Sequence, residues 1–232
     1  MIIKGLQKTT LLDFPTKVAC TVFTGGCNFR CPFCHNASLV TRTDNSDTVN
    51  IDAFFDYLKK RRGILDGVCI TGGEPLLQKD IKDFIARIKE LGYAVKLDTN
   101  GSDSKTLRDL VDAKLIDYVA MDIKGAQNKY SMICGVDMGR YMDHVKESVE
   151  FLLTDPISFE FRTTVVRELH SYEDFEDIGR WIKGANKYFL QQFKDSGDLI
   201  ANDNFSAYNK EEMEEILAIV KPYVNNAELR GV

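Results

Sequence analysis

The stretch Val18-Ala-Cys-Thr-Val-Phe-Thr-Gly-Gly-Cys-Asn-Phe-Arg-Cys-Pro-Phe-Cys-His-Asn36 begins as an apolar, β-branched run and ends in a loop with three cysteines. Its first part, Val18–Thr24, predicts a buried strand. Cys27, Cys31 and Cys34 follow directly, in the spacing C-x3-C-x2-C. Thiolates at this spacing can converge on one metal centre, and they suit iron–sulfur clusters and zinc. The stretch therefore predicts a strand that carries a metal centre at its carboxyl end.

Five further strand-like runs alternate with amphipathic helical stretches. The predicted strands are Val68–Thr71, Ala94–Thr99, Tyr118–Lys124, Phe159–Val166 and Lys187–Phe193, and the predicted helices lie near 51–62, 78–91, 104–114, 139–153, 173–184 and 209–221. Six βα units in a row favour a parallel sheet, either doubly wound or rolled into a barrel. Eight units close a barrel in about 250 residues, so six units in 232 residues fit a barrel that stays open.

Polar residues on the strands favour the barrel, because parallel strands buried on both faces are apolar throughout. Asp122 and Lys124 share one strand face, and Glu160 and Arg162 share another. Buried charges need partners, so these faces are expected to surround a polar ligand in a lumen; a solvated sheet face is the competing interpretation. The expected fold class is α/β, a partial, open (β/α)6 TIM-like barrel. We expect one domain over 1–232, with a core of about 16–193 and a C-terminal helix and tail of about 205–232.

Composition narrows the class of protein. The chain is 44% hydrophobic and 28% charged, with a formal net charge of −5, as in an ordinary globular protein. No apolar run is long enough to span a membrane and the N-terminus does not read as a signal peptide, so the cytoplasm is the expected location. The one basic run, Lys59–Arg62, ends a predicted helix and is expected to be a solvated helix terminus. We therefore expect a small molecule or a protein as substrate, with no nucleic-acid or membrane partner.

The number of ligands bears on which metal centre the cysteines hold. A structural zinc site needs four ligands, and His35 adjoins Cys34 too closely in sequence to bind the same ion readily. Three cysteines on a four-iron cluster leave one iron open for chemistry, so an iron–sulfur cluster is favoured over zinc or a disulfide. Cys20 and Cys69 lie in apolar runs and are expected to pack in the core. Cys134 lies in a polar segment, and its sequence context predicts no role.

The cysteine loop after the first strand of a βα repeat resembles the radical S-adenosylmethionine (SAM) superfamily. The resemblance covers most of the chain, in the segments Gly5–Pro15, Gly26–Asn36, Thr71–Gln78, Leu97–Gly101, Ala120–Lys124 and Glu160–Val166. Within the superfamily the sequence is most similar to glycyl-radical-enzyme activating proteins. It is closest to the group named anaerobic ribonucleoside-triphosphate reductase activating protein.

This resemblance implies that Cys27, Cys31 and Cys34 ligate a [4Fe–4S] cluster whose open iron binds SAM. It implies SAM contacts along the loop and at successive strand ends, by Phe33, Asn36, Gly72, Gly73, Glu74, Asp98, Thr99, Asn100, Asp122, Lys124 and Arg162. Structural roles compete at several of these positions. Asn36 could stabilise its loop, Asp122 and Lys124 could pair with each other, and Arg162 could pair with Glu160 or Asp122. Gln191 and Gln192 are weaker candidates on the sixth predicted strand.

The activity implied is reductive cleavage of SAM to a 5′-deoxyadenosyl radical, which abstracts hydrogen from a glycine of a partner glycyl radical enzyme. No catalytic residue beyond the cluster and SAM is required, and a flavodoxin or ferredoxin-type protein is the expected reductant. A radical SAM enzyme acting directly on a small molecule or peptide is the alternative. An iron–sulfur protein that only transfers electrons is a remote one. The polar segment Gly125–Gly139 is predicted to be a lid or docking loop.

Overall fold

Eight strands form one sheet in the computed structural model, which describes residues 1–41, 48–195, 197–201 and 203–232. The strands are β1 (Ile3–Thr10), β2 (Ala19–Thr24), β3 (Gly67–Gly72), β4 (Ala94–Thr99), β5 (Tyr118–Asp122), β6 (Phe159–Val165), β7 (Tyr188–Gln192) and β8 (Ala227–Arg230). They lie in chain order, with β1 and β8 at the two edges. β1 runs antiparallel to β2, whereas β2 to β8 are parallel to one another. This is the predicted α/β partial barrel.

The six predicted strands are β2 to β7, and the two edge strands were not predicted. β1 carries three exposed polar residues in a row, Gln7, Lys8 and Thr9, and its pairing with β2 shifts register twice. β8 has only four residues, of which only Ala227 is buried. Neither strand has the continuous apolar run or regular alternation from which the inner strands are recognised. The sheet is therefore two strands wider than the sequence pattern indicates.

The helices lie between the strands and bury one apolar face each. They are α1 (Ala37–Thr41), α2 (Ile51–Lys60), α3 (Ile81–Glu90), α4 (Ser104–Asp112), α5 (Tyr130–Cys134), α6 (Met142–Leu153), α7 (Tyr172–Trp181) and α8 (Lys210–Val220). In α3, for example, Ile81, Phe84, Ile85 and Ile88 are all buried, as the spacing of a 3.6-residue repeat requires. Over the residues that the structure describes, no helix is both long and apolar enough to cross a membrane.

The two faces of the sheet differ sharply in polarity. Val119 and Met121 of β5 are fully buried in the apolar core. Lys96 and Glu160 are also buried, at 2% and 1% exposure, and each has an opposite charge beside it: Lys96 pairs with Asp98, and Glu160 pairs with Arg230. The polar strand faces are thus enclosed in the barrel lumen, and the interpretation as a solvated sheet face is wrong.

Candidate active site

One cavity of about 980 Å³, open mouth included, lies at the carboxyl ends of the parallel strands. Apart from the weaker candidate Gln192, all of the residues for which a cluster or SAM contact was predicted line it, Gln191 included: Cys27, Cys31, Phe33, Cys34, Asn36, Gly72, Gly73, Glu74, Asp98, Thr99, Asn100, Asp122, Lys124 and Arg162. Phe29, Thr71 and Thr164 also line it, although the sequence did not single them out. The strand ends meet at this edge because the strands are parallel and paired in order.

The backbone of the Gly72-Gly73 turn holds the cysteine loop in place. Gly73 N–H donates to the Thr24 carbonyl at 2.9 Å, and Glu74 N–H donates to the Gly26 carbonyl at 2.8 Å. A Cβ on Gly73 would lie 1.9 Å from that Gly26 oxygen. Gly72 has a φ of +112°, and a Cβ there would lie 2.4 Å from the Thr24 nitrogen. Both positions therefore need glycine, because two backbones approach each other more closely than a side chain allows.

The Glu74 carboxylate is occupied by protein donors. It is 1% exposed and accepts hydrogen bonds from the Leu76 N–H at 3.1 Å, the Thr99 hydroxyl at 2.7 Å and the Asn100 N–H at 2.7 Å. Burial raises the pKa of Glu74 to about 7, although these hydrogen bonds oppose the rise. The structure thus gives Glu74 a positioning role between β3 and β4, and its predicted contact with SAM remains a prediction.

Asn100 continues this polar network to the cysteine loop. Its Nδ2 donates to Asn28 Oδ1 at 3.0 Å and to Cys27 Sγ at 3.9 Å. The backbone N–H of Phe29 also donates to Cys27 Sγ, at 3.4 Å. Hydrogen bonds to ligand sulfurs help to set the reduction potential of an iron–sulfur cluster. The predicted SAM contact Asn100 therefore also has the geometry of a cluster-tuning residue.

Five charged side chains form a continuous network of ion pairs, and four of them line the cavity. Arg162 donates from Nε to Asp122 Oδ1 at 3.0 Å and from Nη1 to Asp98 Oδ2 at 3.1 Å. Lys124 Nζ lies 3.0 Å from Asp122 Oδ2, and Lys96 pairs with Asp98. Arg162 thus pairs with Asp122, as one alternative predicted, and not with Glu160, which Arg230 binds instead. Three cations and two anions leave one positive charge in excess, which suits a ligand carboxylate.

The pKa values of the groups in this ion-pair network show how strongly their charges interact. Burial alone would raise the pKa of Asp122, but Lys124 and Arg162 outweigh burial and hold that pKa well below its usual range. The same balance, with Arg162 and Lys96 as the cations, lowers the pKa of Asp98. Burial would lower the pKa of Lys124, yet Asp122 raises it overall. Asp98, Asp122 and Lys124 are therefore charged at neutral pH.

Phe33, Asn36 and Gln191 also line the cavity. The ring of Phe33 is 5% exposed. Asn36 Nδ2 donates to the Gly72 carbonyl at 3.4 Å, and the Asn36 carbonyl accepts from the Leu39 N–H at 2.9 Å. Asn36 thus stabilises its loop while it faces the cavity. Gln191 lines the cavity, whereas Gln192 donates to the Tyr208 carbonyl at 2.8 Å.

The segment Gly125–Gly139, predicted as a lid or docking loop, is anchored beneath the cysteine loop. Tyr130, Ile133, Cys134 and Met138 are buried. The Arg30 N–H donates to the Cys134 carbonyl at 2.8 Å. The neighbouring Cys134 thiol lowers the pKa of Cys31, although burial opposes this shift. No sequence pattern signals the contact between Arg30 and Cys134, because it joins two segments far apart in the chain.

Three thiols and the cations of Lys124 and Arg162 line one cavity, which suits an iron–sulfur cluster and a ligand that carries a carboxylate. The family model of the radical SAM superfamily matches residues 21–182. This chain belongs to the radical SAM superfamily. Enzymes of this superfamily use a [4Fe–4S] cluster and SAM, and ligation of that cluster by Cys27, Cys31 and Cys34 remains a prediction.

The chain is also similar to individual proteins. It is 33% identical over 240 residues to a protein of Methanocaldococcus jannaschii named provisionally as a glycyl-radical enzyme activating enzyme, covering 100% of this chain and 96% of the relative. It is 30% identical over 157 residues to a GTP 3′,8-cyclase of Helicobacter pylori, covering 65% of this chain and only 47% of the cyclase. Streptococcus suis SuiB, solved with S-adenosylmethionine bound, shares the fold at a TM-score of 0.68 and 17% identity, over 90% of this chain and 49% of SuiB.

Proposed function

We propose that this chain is a glycyl-radical-enzyme activating enzyme, of the type that serves anaerobic ribonucleotide reductase. The observation that carries the proposal is the extent of the M. jannaschii match, which includes nearly all of both chains. The GTP cyclase match, by contrast, leaves more than half of the cyclase without a counterpart here.

In this proposal Cys27, Cys31 and Cys34 hold the cluster and the cavity binds SAM. When bound, the cluster supplies the electron that cleaves SAM to methionine and a 5′-deoxyadenosyl radical. Lys124 and Arg162 provide the positive charge for the SAM carboxylate. Asp98, Thr99, Asn100, Asn36 and Phe33 line the same cavity. The backbone of the Gly72-Gly73 turn can approach bound SAM closely, because neither residue carries a side chain.

The residues of this chain orient ligands and exclude water rather than transfer protons. Hydrogen-atom abstraction needs no general base, so the absence of a catalytic histidine among the proposed site residues is consistent with the chemistry. Asp122 and Asp98 are held as paired carboxylates by Arg162. The target is a backbone glycine of the partner protein, and a flavodoxin or ferredoxin-type protein is the proposed electron donor.

The first test is production of 5′-deoxyadenosine. The protein is reconstituted with iron and sulfide without oxygen and mixed with SAM and dithionite, beside a Cys31→Ala control. We expect product from the wild-type protein and none from the control. No product from a wild-type protein with a full, reducible cluster would count against catalysis by the chain alone.

The second test identifies the substrate. A candidate anaerobic ribonucleotide reductase is added, and its glycyl radical is measured by electron paramagnetic resonance, with a variant of that reductase lacking the target glycine as control. A glycine-dependent radical supports the activating function. SAM cleavage that is stimulated by a small molecule or a peptide, and by no glycyl radical enzyme, would support the alternative of direct action on that substrate.

A further inference from the structure

Lys124 lies two residues beyond the end of strand β5. The paired residues of β5 and β6 end at Asp122 and Arg162, so among the described residues no strand residue pairs with Lys124. Its side chain nevertheless has a defined place, because Nζ lies 3.0 Å from Asp122 Oδ2 and the residue lines the cavity. The position of the Lys124 backbone therefore depends on contacts other than the strand ladder.

Two buried side chains bind both polar groups of the Lys124 backbone. The Lys124 N–H donates to the Tyr130 hydroxyl oxygen at 3.1 Å, and the Lys124 carbonyl oxygen lies 2.8 Å from His170 Nε2. Tyr130 and His170 are 1% and 2% exposed. Tyr130 begins helix α5, and His170 lies two residues before helix α7. These side chains take the place of the partners that a neighbouring strand would provide.

The contacts of His170 define which of its ring nitrogens carries the hydrogen. A carbonyl oxygen can only accept, so Nε2 donates to Lys124, and Nδ1 is left to accept the Val166 N–H at 3.1 Å. The Val166 carbonyl, also 3.1 Å from Nδ1, accepts the backbone N–H of His170 at 3.0 Å. Burial lowers the pKa of His170, which favours the neutral ring. His170 is thus held as a donor toward Lys124.

We propose that Tyr130 and His170 are positioning residues that hold Lys124 where its ammonium group binds the carboxylate of SAM. The inference rests on the proposed function, in which Lys124 supplies positive charge to that carboxylate. A lysine side chain is a point charge on a flexible stem, so a fixed backbone and the pair with Asp122 together restrict where the charge lies. Tyr130 and His170, both within the described part of the chain, do not line the cavity. They therefore act through Lys124.

The test measures the affinity for SAM by isothermal titration calorimetry. The protein is reconstituted without oxygen and no reductant is added, so that SAM binds without being cleaved. Tyr130→Phe removes one hydroxyl group, His170→Phe keeps an aromatic ring without nitrogen, and His170→Gln keeps an N–H donor. Tyr93→Phe is the matched control, because the buried Tyr93 hydroxyl also bonds to the backbone, at the Leu58 carbonyl 2.6 Å away. Iron content and thermal unfolding are measured for each variant.

We expect the dissociation constant of SAM to rise about fivefold in Tyr130→Phe, the equivalent of one hydrogen bond. It should rise about tenfold in His170→Phe, because the Lys124 carbonyl and the Val166 N–H both lose their partners. His170→Gln should bind SAM more tightly than His170→Phe. Tyr93→Phe should lose stability as Tyr130→Phe does and still bind SAM like the wild type.

The same substitutions are then combined with Lys124→Met. By itself Lys124→Met should weaken SAM binding about tenfold, since it removes a charged hydrogen-bond donor. Substitutions that act on one shared contact give non-additive effects. Adding Tyr130→Phe or His170→Phe to Lys124→Met should therefore cause no further loss of affinity.

Three outcomes would overturn the proposal. They are wild-type affinity in both Tyr130→Phe and His170→Phe, an equal loss from Tyr130→Phe with and without Lys124→Met, and wild-type affinity in Lys124→Met itself. If His170→Phe does not fold, Tyr130→Phe decides the outcome alone, because it removes a single oxygen atom. Failure of the proposed activating function looks different, since the SAM affinities could follow this pattern while no partner protein acquires a glycyl radical.

Discussion

The carboxylate of Glu74 accepts the backbone N–H of Asn100 at 2.7 Å, and so joins the turn after β3 to the turn after β4. Asn100 in turn donates to Cys27 Sγ and to Asn28 in the cysteine loop. Three loops that follow three neighbouring strands are therefore one hydrogen-bonded unit. A disturbance in any of them is expected to reach the cluster ligands.

Glu74→Gln should destabilise the protein, because the amide NH2 group cannot accept all of the hydrogen bonds that the carboxylate accepts. At least one buried backbone N–H would lose its partner, at a cost of ~2 kcal/mol, which for a chain of this size lowers the melting temperature by about 4–8 °C. Thermal unfolding measured by circular dichroism checks this. Glu90→Gln, at an exposed position at the end of α3, is the control and should melt with the wild type.

Arg162→Gln should weaken both stability and SAM binding. Removing one partner from a buried ion-pair network typically costs about 3 kcal/mol, and here two carboxylates, Asp98 and Asp122, lose their shared cation. The positive charge in excess also disappears, so SAM affinity should fall about tenfold or more by calorimetry. Arg180→Gln, which changes an exposed arginine on α7, should alter neither quantity. Unchanged SAM affinity in Arg162→Gln would contradict the proposed carboxylate contact.

Stability should fall steeply in acid because of Asp98 and Asp122. Their pKa values are lower in the folded protein than the ~3.9 of an unfolded aspartate. Below about pH 4 the unfolded chain therefore binds more protons than the folded one. The stabilisation is complete above that pH and is lost as the pH falls through the folded-state values.

Urea unfolding between pH 3 and 7 measures this dependence. Asp122→Asn should flatten the decline in the free energy of unfolding below about pH 4, while Asp109→Asn, at an exposed position of α4, should leave the decline as it is. A decline of equal steepness in wild type and Asp122→Asn would show that Asp122 is not a source of the acid sensitivity.

Gly73→Ala should impair cluster assembly, because the new Cβ would lie 1.9 Å from the Gly26 carbonyl oxygen and push the cysteine loop away. We expect the iron content after reconstitution to fall by about half or more, with the fold retained by circular dichroism. Gly139→Ala is the matched control, since its Cβ would meet only the Asp137 carboxylate, at 3.4 Å or more. Equal iron content in the two variants would mean that the loop adapts to the side chain.

The candidate site residues were recognisable from the sequence because each follows a strand whose run of apolar residues is itself recognisable. The cysteine loop follows β2, Glu74 follows β3 and Asn100 follows β4. Parallel strands bring such positions to one edge, so the members of the site could be predicted before their contacts were known. The contacts themselves were less predictable: the carboxylate of Glu74 meets protein donors, and Arg162 binds two aspartates at once.

The βα order, the open parallel barrel and most of the residues around the cavity could be predicted from the amino-acid sequence, since periodicity and motif spacing are local properties of the chain. Three features become visible only in the folded protein: β1 and β8 extend the sheet, Glu160 pairs with Arg230, and the Cys134 carbonyl accepts the Arg30 N–H. Each of these depends on segments that are distant in sequence. Their meeting is fixed by the pairing of the strands and the packing of α5 under the cysteine loop, which no local pattern encodes.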